Sequence, residues 1–382
     1  MFKLKEKKDC CGCGACANAC NHGAIKLEHD SLGFLYPNAD ANKCTNCGLC
    51  MKVCPMLRTF PTKQDTVNPP LVYAARHKSP EEINSSRSGG VFIALSDIIL
   101  NQGGAIYGAA LGPDMAVTHL RATTKNDRNR FKGSKYVQSD ISNTFKQIVA
   151  DLRKGLPVLY SGTGCQIEAL RKFVPILLQN NLLLVDIICH GVPSPNLFKD
   201  YLAGCEKAHG KQIINFNFRD KSRNGWSSHE ESMVFEDGMK IFSQEYTKMF
   251  YSNAFFRDSC YSCPFANTSR PGDITIGDFW GWEKVDKYFN ADDKGCSLVM
   301  INSDKGKELF ESVISKLDII ETDVAHCLQR NLIHPTPPPD NRSEIISCYK
   351  KLGYKWMHSL YFTNKIPSRI YRKIMQIARR LL

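Results

Sequence analysis

The sequence has no apolar run near the ~18 consecutive residues that a membrane-spanning helix requires. It also has no hydrophobic stretch behind the charged residues Met1–Asp9, so we expect no targeting segment. Seventeen cysteines without a secretory signal are typical of metal chemistry in a reducing compartment rather than of disulfides. These features predict a cytoplasmic protein whose length allows about two domains.

Acidic residues are scarce near the end of the chain. Ten Lys and Arg between Asp340 and Leu382 face only two acidic residues, so this tail supplies +8 of the net charge of +12. The rest of the chain is nearly balanced, and nucleic acid is not an expected partner. From Arg369 onward, four apolar residues share one face of a predicted helix: Ile370, Ile374, Ile377 and Leu381. Such a helix either docks on protein or makes a peripheral contact with the inner face of an anionic membrane, and both alternatives stay open.

Two runs of four cysteines share the spacing C-x2-C-x2-C-x3-C, and Pro55 follows the second run. Thiolates at this spacing hold [4Fe–4S] clusters, and in two-cluster ferredoxins the fourth cysteine of each run binds the other cluster. One cluster is therefore predicted on Cys10, Cys13, Cys16 and Cys54. The other is predicted on Cys44, Cys47, Cys50 and Cys20. Structural zinc is a less favoured alternative because zinc sites usually pair two CxxC knuckles across a long gap. Cys11 is interpreted as a bystander because its use would break the spacing.

Eight further cysteines follow in the second part of the chain, and four of them stand where metal ligands converge. Cys165 and Cys189 each follow a predicted strand, and Cys260 and Cys263 form a CxxC pair. Strand ends at one sheet edge are close in space, so a third metal site is feasible, with zinc as an open alternative to a cluster. The remaining four are interpreted as ordinary buried thiols: Cys205, Cys296, Cys327 and Cys348.

Several short motifs occur in an order that resembles one family. They are Ser88–Gly90, Lys135–Ser139, Ser161–Gln166, Cys189–Pro195, Phe218–Lys221, Cys260–Cys263 and Asp273–Gly281. The family is that of the beta subunits of coenzyme F420 hydrogenases and dehydrogenases, which includes formate dehydrogenase beta subunits and a chlorophyll-cycle reductase. The resemblance runs from about Cys10 to about Asn302. The chain departs from it at Gly164, where the family commonly has proline.

The resemblance implies FAD in an α/β domain, a third [4Fe–4S] cluster on Cys165, Cys189, Cys260 and Cys263, and an N-terminal two-cluster ferredoxin domain. The candidate flavin contacts are Ser88, Gly89, Gly90, Lys132, Ser134, Lys135, Gln138, Ser161, Gly162 and Thr163. Bare amides before a helix bind pyrophosphate, and lysines favour the anionic reduced flavin. An N-cap, a solvated loop and a strand-to-helix turn are the ordinary alternatives for these segments. Arg219, Asp278 and Trp280 receive no role, and His190 either shuttles protons or is a structural hydrogen-bond donor.

Strands alternate with helices after the cysteine runs, which predicts an α/β fold with a mostly parallel sheet behind an α+β ferredoxin-like domain. The predicted segments are the two-cluster ferredoxin domain at 1–58, a linker at 59–70, the FAD and iron–sulfur oxidoreductase domain at 71–334, and a Pro-rich break with the basic amphipathic tail at 335–382.

The expected function is that of an iron–sulfur flavoprotein oxidoreductase that exchanges electrons with a redox partner protein or a small-molecule donor. Hydride transfer to or from a deazaflavin, coenzyme F420, or to another organic substrate is implied by the resemblance, and no catalytic residue is assigned. A non-catalytic electron-transfer subunit of a larger redox complex is the alternative.

Overall fold

The computed structural model describes residues 6–57, 67 and 69–363. The predicted linker lies almost wholly outside these residues, and the predicted tail helix from Arg369 onward lies outside them entirely. Within the described residues, no helix is long and apolar enough to cross a membrane.

The N-terminal part repeats one short unit twice. Its elements are α1 (Ala15–Ala19), β1 (Ile25–His29), β2 (Leu35–Ala39) and α2 (Leu49–Lys52). The two helices begin after Gly14 and Gly48, which have φ values of 68° and 76° that glycine adopts without strain. The strands form an antiparallel hairpin, and the Asp30 carboxylate accepts hydrogen bonds from two backbone amides in its turn.

The second part is built around an eight-stranded sheet. Its strands are β3 (Leu71–His77), β4 (Ala105–Leu111), β5 (Val117–Ala122), β6 (Val158–Thr163), β7 (Leu182–Ile187), β11 (Ile274–Asp278), β12 (Ser297–Ile301) and β13 (Leu317–Thr322). Between β7 and β11 a separate three-stranded antiparallel sheet forms from β8 (Ile213–Asn217), β9 (Glu231–Phe235) and β10 (Lys240–Ser243).

The large sheet is mixed, with the order β13-β3-β12-β11-β7-β6-β4-β5. The four adjacent strands β11, β7, β6 and β4 are parallel, as the alternation of strands and helices predicts. The flanking pairings are all antiparallel, so the sheet is mixed around this parallel centre. Because β12 is antiparallel to both β11 and β3, the strand β3 runs in the same direction as the central four. The C-terminal ends of β3, β11, β7, β6 and β4 therefore lie at one edge.

Helices cover the sheet and connect its strands. They are α3 (Pro80–Ser85), α4 (Val91–Asn101), α5 (Lys125–Asn129), α6 (Thr144–Arg153), α7 (Gly164–Phe173), α8 (Pro195–His209), α9 (Glu245–Tyr251), α10 (Asp304–Glu311), α11 (Val324–Cys327), α12 (Arg330–Ile333) and α13 (Arg342–Tyr361). The last of these is two helices joined at a kink, because Gly353 has non-helical backbone angles. A short 3₁₀ turn at Asp258–Ser262 carries Cys260.

The N-terminal part shares its hydrophobic core with the body of the molecule. Leu32 and Phe34 belong to one cluster with the buried face of α8, and Ala15, Ala19 and Val53 belong to another with α6 and the central strands. The cysteine-rich segment is thus packed against the α/β sheet. As a result, some cysteines of this segment, such as Cys13, are buried against the body, whereas others, such as Cys47, are exposed.

Candidate functional site

Four N-terminal cysteines meet where this segment faces the body, and we name them the inner site: Cys10, Cys13, Cys16 and Cys54. Burial, together with the neighbouring thiols of Cys10 and Cys54, raises the pKa of Cys16 to about 12. The pKa values of Cys13 and Cys54 are raised as well, with burial and other thiols of this group among the causes. The fourth cysteine of the second run therefore lies with the first three of the first run.

The other four cysteines line a second pocket, which we name the outer site: Cys20, Cys44, Cys47 and Cys50. Cys47 is exposed, and the Cys20 thiol accepts a hydrogen bond of 3.3 Å from the Ala24 amide. The grouping of both sites is the crossed one that the sequence predicts. All seventeen cysteines are free thiols, so disulfides do not hold either group.

The inner site is attached to the body by side chains from distant parts of the chain. The Arg257 guanidinium donates to the Cys10 carbonyl at 2.7 Å and to the Cys10 Sγ at 3.3 Å. Gln138, a predicted flavin contact, instead donates its amide to the Cys11 carbonyl at 3.1 Å and accepts from Arg257 at 3.0 Å. Lys172 donates to the Cys54 carbonyl at 3.3 Å. Sequence reasoning missed Arg257, although it stands three residues before Cys260.

Cys165, Cys189, Cys260 and Cys263 line one cavity, which we name the third site. The first stands at the start of α7 and the second follows β7, so both lie at the C-terminal edge of the parallel strands. Burial, together with the neighbouring thiols, raises the pKa of Cys189 to about 12 and that of Cys263 to about 11. The structure thus brings the four cysteines together as the third-site hypothesis requires.

Cys11 lines the same cavity and is buried. Its thiol lies near the thiols of both Cys13 of the inner site and Cys165 of the third site, and the Cys13 thiol and burial raise its pKa. Cys11 is thus placed beside both groups, and its interpretation as a bystander to metal binding stays a prediction.

The donor chemistry of all three groups fits iron–sulfur clusters. Several buried thiols in one place cannot all ionise without a compensating positive charge, which an iron core supplies when it displaces their protons. A cubane distributes its four sulfur ligands over separate irons, so the sulfurs need not approach as closely as ligands of one ion. Among the described residues, no three His, Cys, Asp or Glu side chains are arranged for a single metal ion.

The Ser88–Gly90 turn lies at the N-terminus of α4, but its groups are engaged by the protein. Ser88 donates its hydroxyl to the Cys296 carbonyl at 2.7 Å, and the Gly89 amide donates to Ser297 Oγ at 2.9 Å. A Cβ on Gly89 would lie 2.1 Å from the Ala75 carbonyl oxygen, so packing on β3 accounts for this glycine. Gly90, with φ of 82°, is the N-cap of α4.

The loop from Lys132 to Gln138 follows α5. It contacts α3 at its first residue and the inner site at its last. Lys132 pairs with Glu82 at 2.7 Å and also donates to Ser85, while Lys135 donates to three backbone carbonyls of its own loop. Burial lowers the pKa of Lys135 to about 7. Ser134 is half-buried in the same loop. The lysines are thus structural in this conformation rather than free to meet an anion.

The segment Ser161–Thr163 ends β6 directly before Cys165. The Ser161 carbonyl lies 3.2 Å from the ring of His119, and a Cβ on Gly162 would lie 3.0 Å from Tyr160 and from Gln166. Thr163 lines the third-site cavity, and its hydroxyl is 3.2 Å from the Cys165 thiol. Of the predicted flavin segments, this one borders the third site directly.

Two buried guanidinium groups lie at the same sheet edge beside a stack of aromatic rings. Arg87 Nε and Nη1, and Arg219 Nε, donate to no protein atom among the described residues. Trp280 stacks on Trp226 with ring centroids 4.4 Å apart, and His229 also stacks on Trp280, with ring centroids 5.6 Å apart. Sequence reasoning singled out Arg219 and Trp280 without a role and missed Arg87, which stands next to the Ser88–Gly90 motif.

A tyrosine connects this group with the third site. Tyr251 accepts from Arg219 at 3.3 Å and its ring meets that of His190 at a centroid distance of 5.6 Å. His190 lines the third-site cavity, and its two nitrogens lie 3.0 Å and 2.9 Å from the amide oxygens of Asn331 and Asn253. The guanidinium groups and the third-site cysteines are therefore parts of one continuous region.

Comparisons with known proteins give matches in both parts of the chain. Residues 156–326 match the family described as the C terminus of the coenzyme F420 hydrogenase/dehydrogenase beta subunit. Residues 9–57 and 36–92 match 4Fe-4S dicluster domains. An uncharacterized protein of Methanocaldococcus jannaschii is 29% identical over 204 residues, which are 46% of this chain and 54% of that protein. The chain thus spans about half the length of this curated relative.

A solved structure of the F420-reducing [NiFe] hydrogenase complex from Methanosarcina barkeri, studied by xenon derivatization, is also similar. One of its chains matches at 17% sequence identity with a TM-score of 0.47, covering 78% of this chain and 91% of that chain. The resemblance stated from the sequence motifs is confirmed by the family matches. The N-terminal part of the chain thus matches 4Fe-4S dicluster domains, and residues 156–326 match the C-terminal domain of the coenzyme F420 hydrogenase/dehydrogenase beta-subunit family.

Proposed function

We propose that the protein is an iron–sulfur flavoprotein oxidoreductase that moves electrons between its ferredoxin-type clusters and an organic two-electron substrate. The observation that carries the proposal is the position of Cys11, which lines the third-site cavity and lies near both Cys165 of that site and Cys13 of the inner site. The three cysteine groups thus form a continuous series from the exposed outer site to the buried sheet edge. Such a series suits stepwise passage of electrons.

The inner and outer sites would each hold one [4Fe–4S] cluster, and the third site would hold another. Clusters exchange single electrons, whereas a flavin accepts two and supplies hydride chemistry to an organic partner. Coenzyme F420 is the substrate class that the family points to, with another organic compound as the alternative. Burial of the third-site cysteines would keep water from the cluster they hold.

FAD would bind at the C-terminal edge of the parallel strands, where α/β sheets bind ligands. Arg87 and Arg219 have buried donors without protein partners, and this is the environment that an anionic group of a flavin requires. Trp280 is partly exposed beside them, and its exposed part offers an apolar contact to an aromatic ring system. This placement assigns Ser88, Gly89 and Gly90 to shaping the pocket rather than to direct contact, since their groups are already engaged.

A non-catalytic electron-transfer subunit remains the second candidate. It is favoured by the exposure of Cys47 and of the neighbouring apolar side chains Leu49 and Met51, since a partner protein would reach the outer cluster easily. The two candidates differ in whether this chain alone turns over an organic substrate.

The test is anaerobic purification of the full chain, followed by iron, sulfide and flavin analysis. We expect about twelve irons and one FAD, and reduction of coenzyme F420 with an artificial electron donor. Clusters without flavin or turnover would favour the electron-transfer subunit, and zinc without sulfide at the third site would exclude the third cluster.

A matched pair of variants locates the flavin. Arg87→Met removes donors that lack protein partners, and we expect it to lower flavin content without lowering iron content. Arg342→Met, which removes a guanidinium paired with Asp258, should leave both unchanged. Equal flavin content in the two variants would contradict this placement.

A further inference from the structure

We propose that Arg257 raises the reduction potential of the cluster at the inner site above that of the cluster at the outer site. An electron that enters this chain would then reside preferentially on the inner cluster. The inference rests on the proposed function, because it requires both clusters, and it identifies Arg257 as the residue that sets the order of their potentials.

The first observation is the hydrogen bond from Arg257 to a cysteine sulfur. Nη2 donates to the Cys10 Sγ at 3.3 Å and to the Leu35 carbonyl at 2.9 Å. Nε donates to the Cys10 carbonyl at 2.7 Å, and Nη1 donates to Gln138. In the loaded protein this sulfur would be a thiolate bound to iron. Hydrogen bonds to the sulfurs of a cluster favour its more negative, reduced form, and so raise its potential.

The second observation is that the charge of Arg257 is buried and has no carboxylate partner. The side chain is fully buried, and among the described residues it makes no ion pair with Asp or Glu. The carboxylates nearest in the chain and at the hairpin turn are engaged elsewhere, since Asp258 pairs with Arg342 and Asp30 with Lys7. The cation rests on the Tyr36 ring, 3.9 Å from its centroid. An uncompensated buried cation strongly favours added negative charge beside it.

The outer site differs in both respects. Its pocket opens to solvent at Cys47, and Lys43, the one cation among its lining residues that the structure describes, pairs with Asp40 at 3.8 Å. The hydrogen bonds to its sulfurs in the described part of the chain come from neutral groups, such as the Ala24 amide on Cys20. Two clusters with the same ligand spacing would thus differ in potential because only one has a guanidinium on its sulfur.

Arg257 also lies close in sequence to the third site. It precedes Cys260 of the third site by three residues, on the turn that also carries that cysteine. Arg257 therefore contacts a cysteine of the inner site and adjoins the turn that carries a cysteine of the third site.

The experiment is an anaerobic redox titration of the full chain, followed by electron paramagnetic resonance. The outer signal is identified first by its selective loss in Cys47→Ser. Arg257→Gln removes the charge and the donor fork, and we expect the inner potential to fall while the outer potential stays unchanged. Arg257→Lys keeps the charge but loses the fork, so its inner potential should fall by less.

The matched control is Arg342→Gln, which removes a guanidinium that contacts the same turn through Asp258 but donates to no cysteine sulfur. It should leave both potentials unchanged. An unchanged inner potential in Arg257→Gln, or equal shifts of both potentials, would overturn the inference. If Arg257→Gln fails to retain the inner cluster, Arg257→Lys decides, and an unchanged potential there overturns it. If the unsubstituted protein shows no cluster signals, the proposed function itself fails.

Discussion

The inner and outer sites have the same cysteine spacing and nearly the same local backbone, yet their surroundings are opposite. At the outer site Cys47 is exposed and Gly48 has no atom near its missing side chain. At the inner site Cys13 is buried, and Gly12 lies against both Gln138 and Arg257. The two copies of the motif therefore have different environments, because only one of them packs on the α/β body.

This difference teaches that cluster spacing and cluster environment are set by different parts of the chain. The spacing is local, because it is fixed by the intervals between cysteines. The environment is long-range, because it depends on residues more than a hundred positions away, such as Gln138 and Arg257. Substitutions of the same kind in the two copies, of a cysteine ligand or of a glycine with positive φ, should therefore have unequal effects.

The largest contrast is expected between Cys13→Ser and Cys47→Ser. Each should remove about four of the eight irons in the N-terminal segment. Cys47→Ser leaves an exposed hydroxyl and should not change folding, whereas Cys13→Ser places a hydroxyl in a buried site and should also lower the melting temperature. Iron analysis and calorimetry measure the two effects. Equal melting temperatures would show that the inner site is not part of the core.

A large contrast is also expected between Gly12→Ala and Gly48→Ala. Both glycines have positive φ, 70° and 76°, so both substitutions carry a strain of about 1 kcal/mol. At Gly12 the new Cβ would lie 2.3 Å from Gln138 Nε2 and 2.7 Å from Arg257 Nη1, which adds about 1–3 kcal/mol of overpacking. Urea unfolding should therefore show a loss of about 3 kcal/mol for Gly12→Ala and about 1 kcal/mol for Gly48→Ala.

The repeat itself contains a control for this pair. Asn46 occupies the position in the second copy that Gly12 occupies in the first, with φ of 56°. An amide side chain is accepted there because the outer site is open. Asn46→Gly should change stability by less than about 1 kcal/mol. A large loss would mean that the outer loop has packing requirements of its own.

The next prediction concerns how the stability of the folded chain depends on pH through His119, which lies near the inner site. His119 stacks on Tyr160, a neighbour of Cys13 and Cys165, and burial lowers its pKa to about 4. The unfolded chain binds a proton near pH 6.5 and the folded chain does not, so stability is lost as pH falls through this window. We expect a loss of about 2 kcal/mol between pH 7.5 and pH 5.

Unfolding in urea across this range, with and without His119→Gln, measures the contribution of His119. The charged neighbour of His119 is Lys135, whose pKa of about 7 is also lowered by burial. Lys135 changes the stability only between about pH 7 and pH 10.5, where stability decreases as the pH is lowered, so the two contributions are separable. If His119→Gln leaves the slope below pH 7 unchanged, another group is responsible.

The smallest effect is expected from the ion pair at the outer site. Lys43 and Asp40 are both exposed and 3.8 Å apart, so Lys43→Ala should change stability by less than about 0.5 kcal/mol. It should also leave the inner potential unchanged. A shift of the inner potential in Lys43→Ala would show that the two sites are not electrostatically independent.

The grouping of the cysteines was predictable because it depends on local spacing and on the chemistry of thiolates. Residues 9–57 indeed match a dicluster domain. The roles of Arg257 and Gln138 were not predictable, because no local pattern marks a side chain that donates to a residue more than a hundred positions away. Their only signals were proximity to Cys260 and membership in a family motif.

The sheet shows a similar limit. Buried strands such as β3 and β12 are recognised by their apolar character, but this character is the same for parallel and antiparallel neighbours. Their direction is decided by the connections between them, so the antiparallel flank could not be read from the sequence. Gly89 is a further case, since a glycine required by close packing on Ala75 has the same appearance as one that admits a phosphate.

The distance in sequence between the cysteines and Arg257 has a consequence for synthesis of the protein. All nine cysteines of the dicluster segment have left the ribosome once residue 54 emerges, but Arg257 follows about two hundred residues later. At roughly 5–20 residues per second this interval is about 10–40 s. During it the loop at Cys10 has neither its guanidinium nor the sheet on which it packs. Iron can thus be loaded at the outer cysteines on the nascent chain, whereas the inner cysteines acquire their final surroundings only when most of the chain has been made.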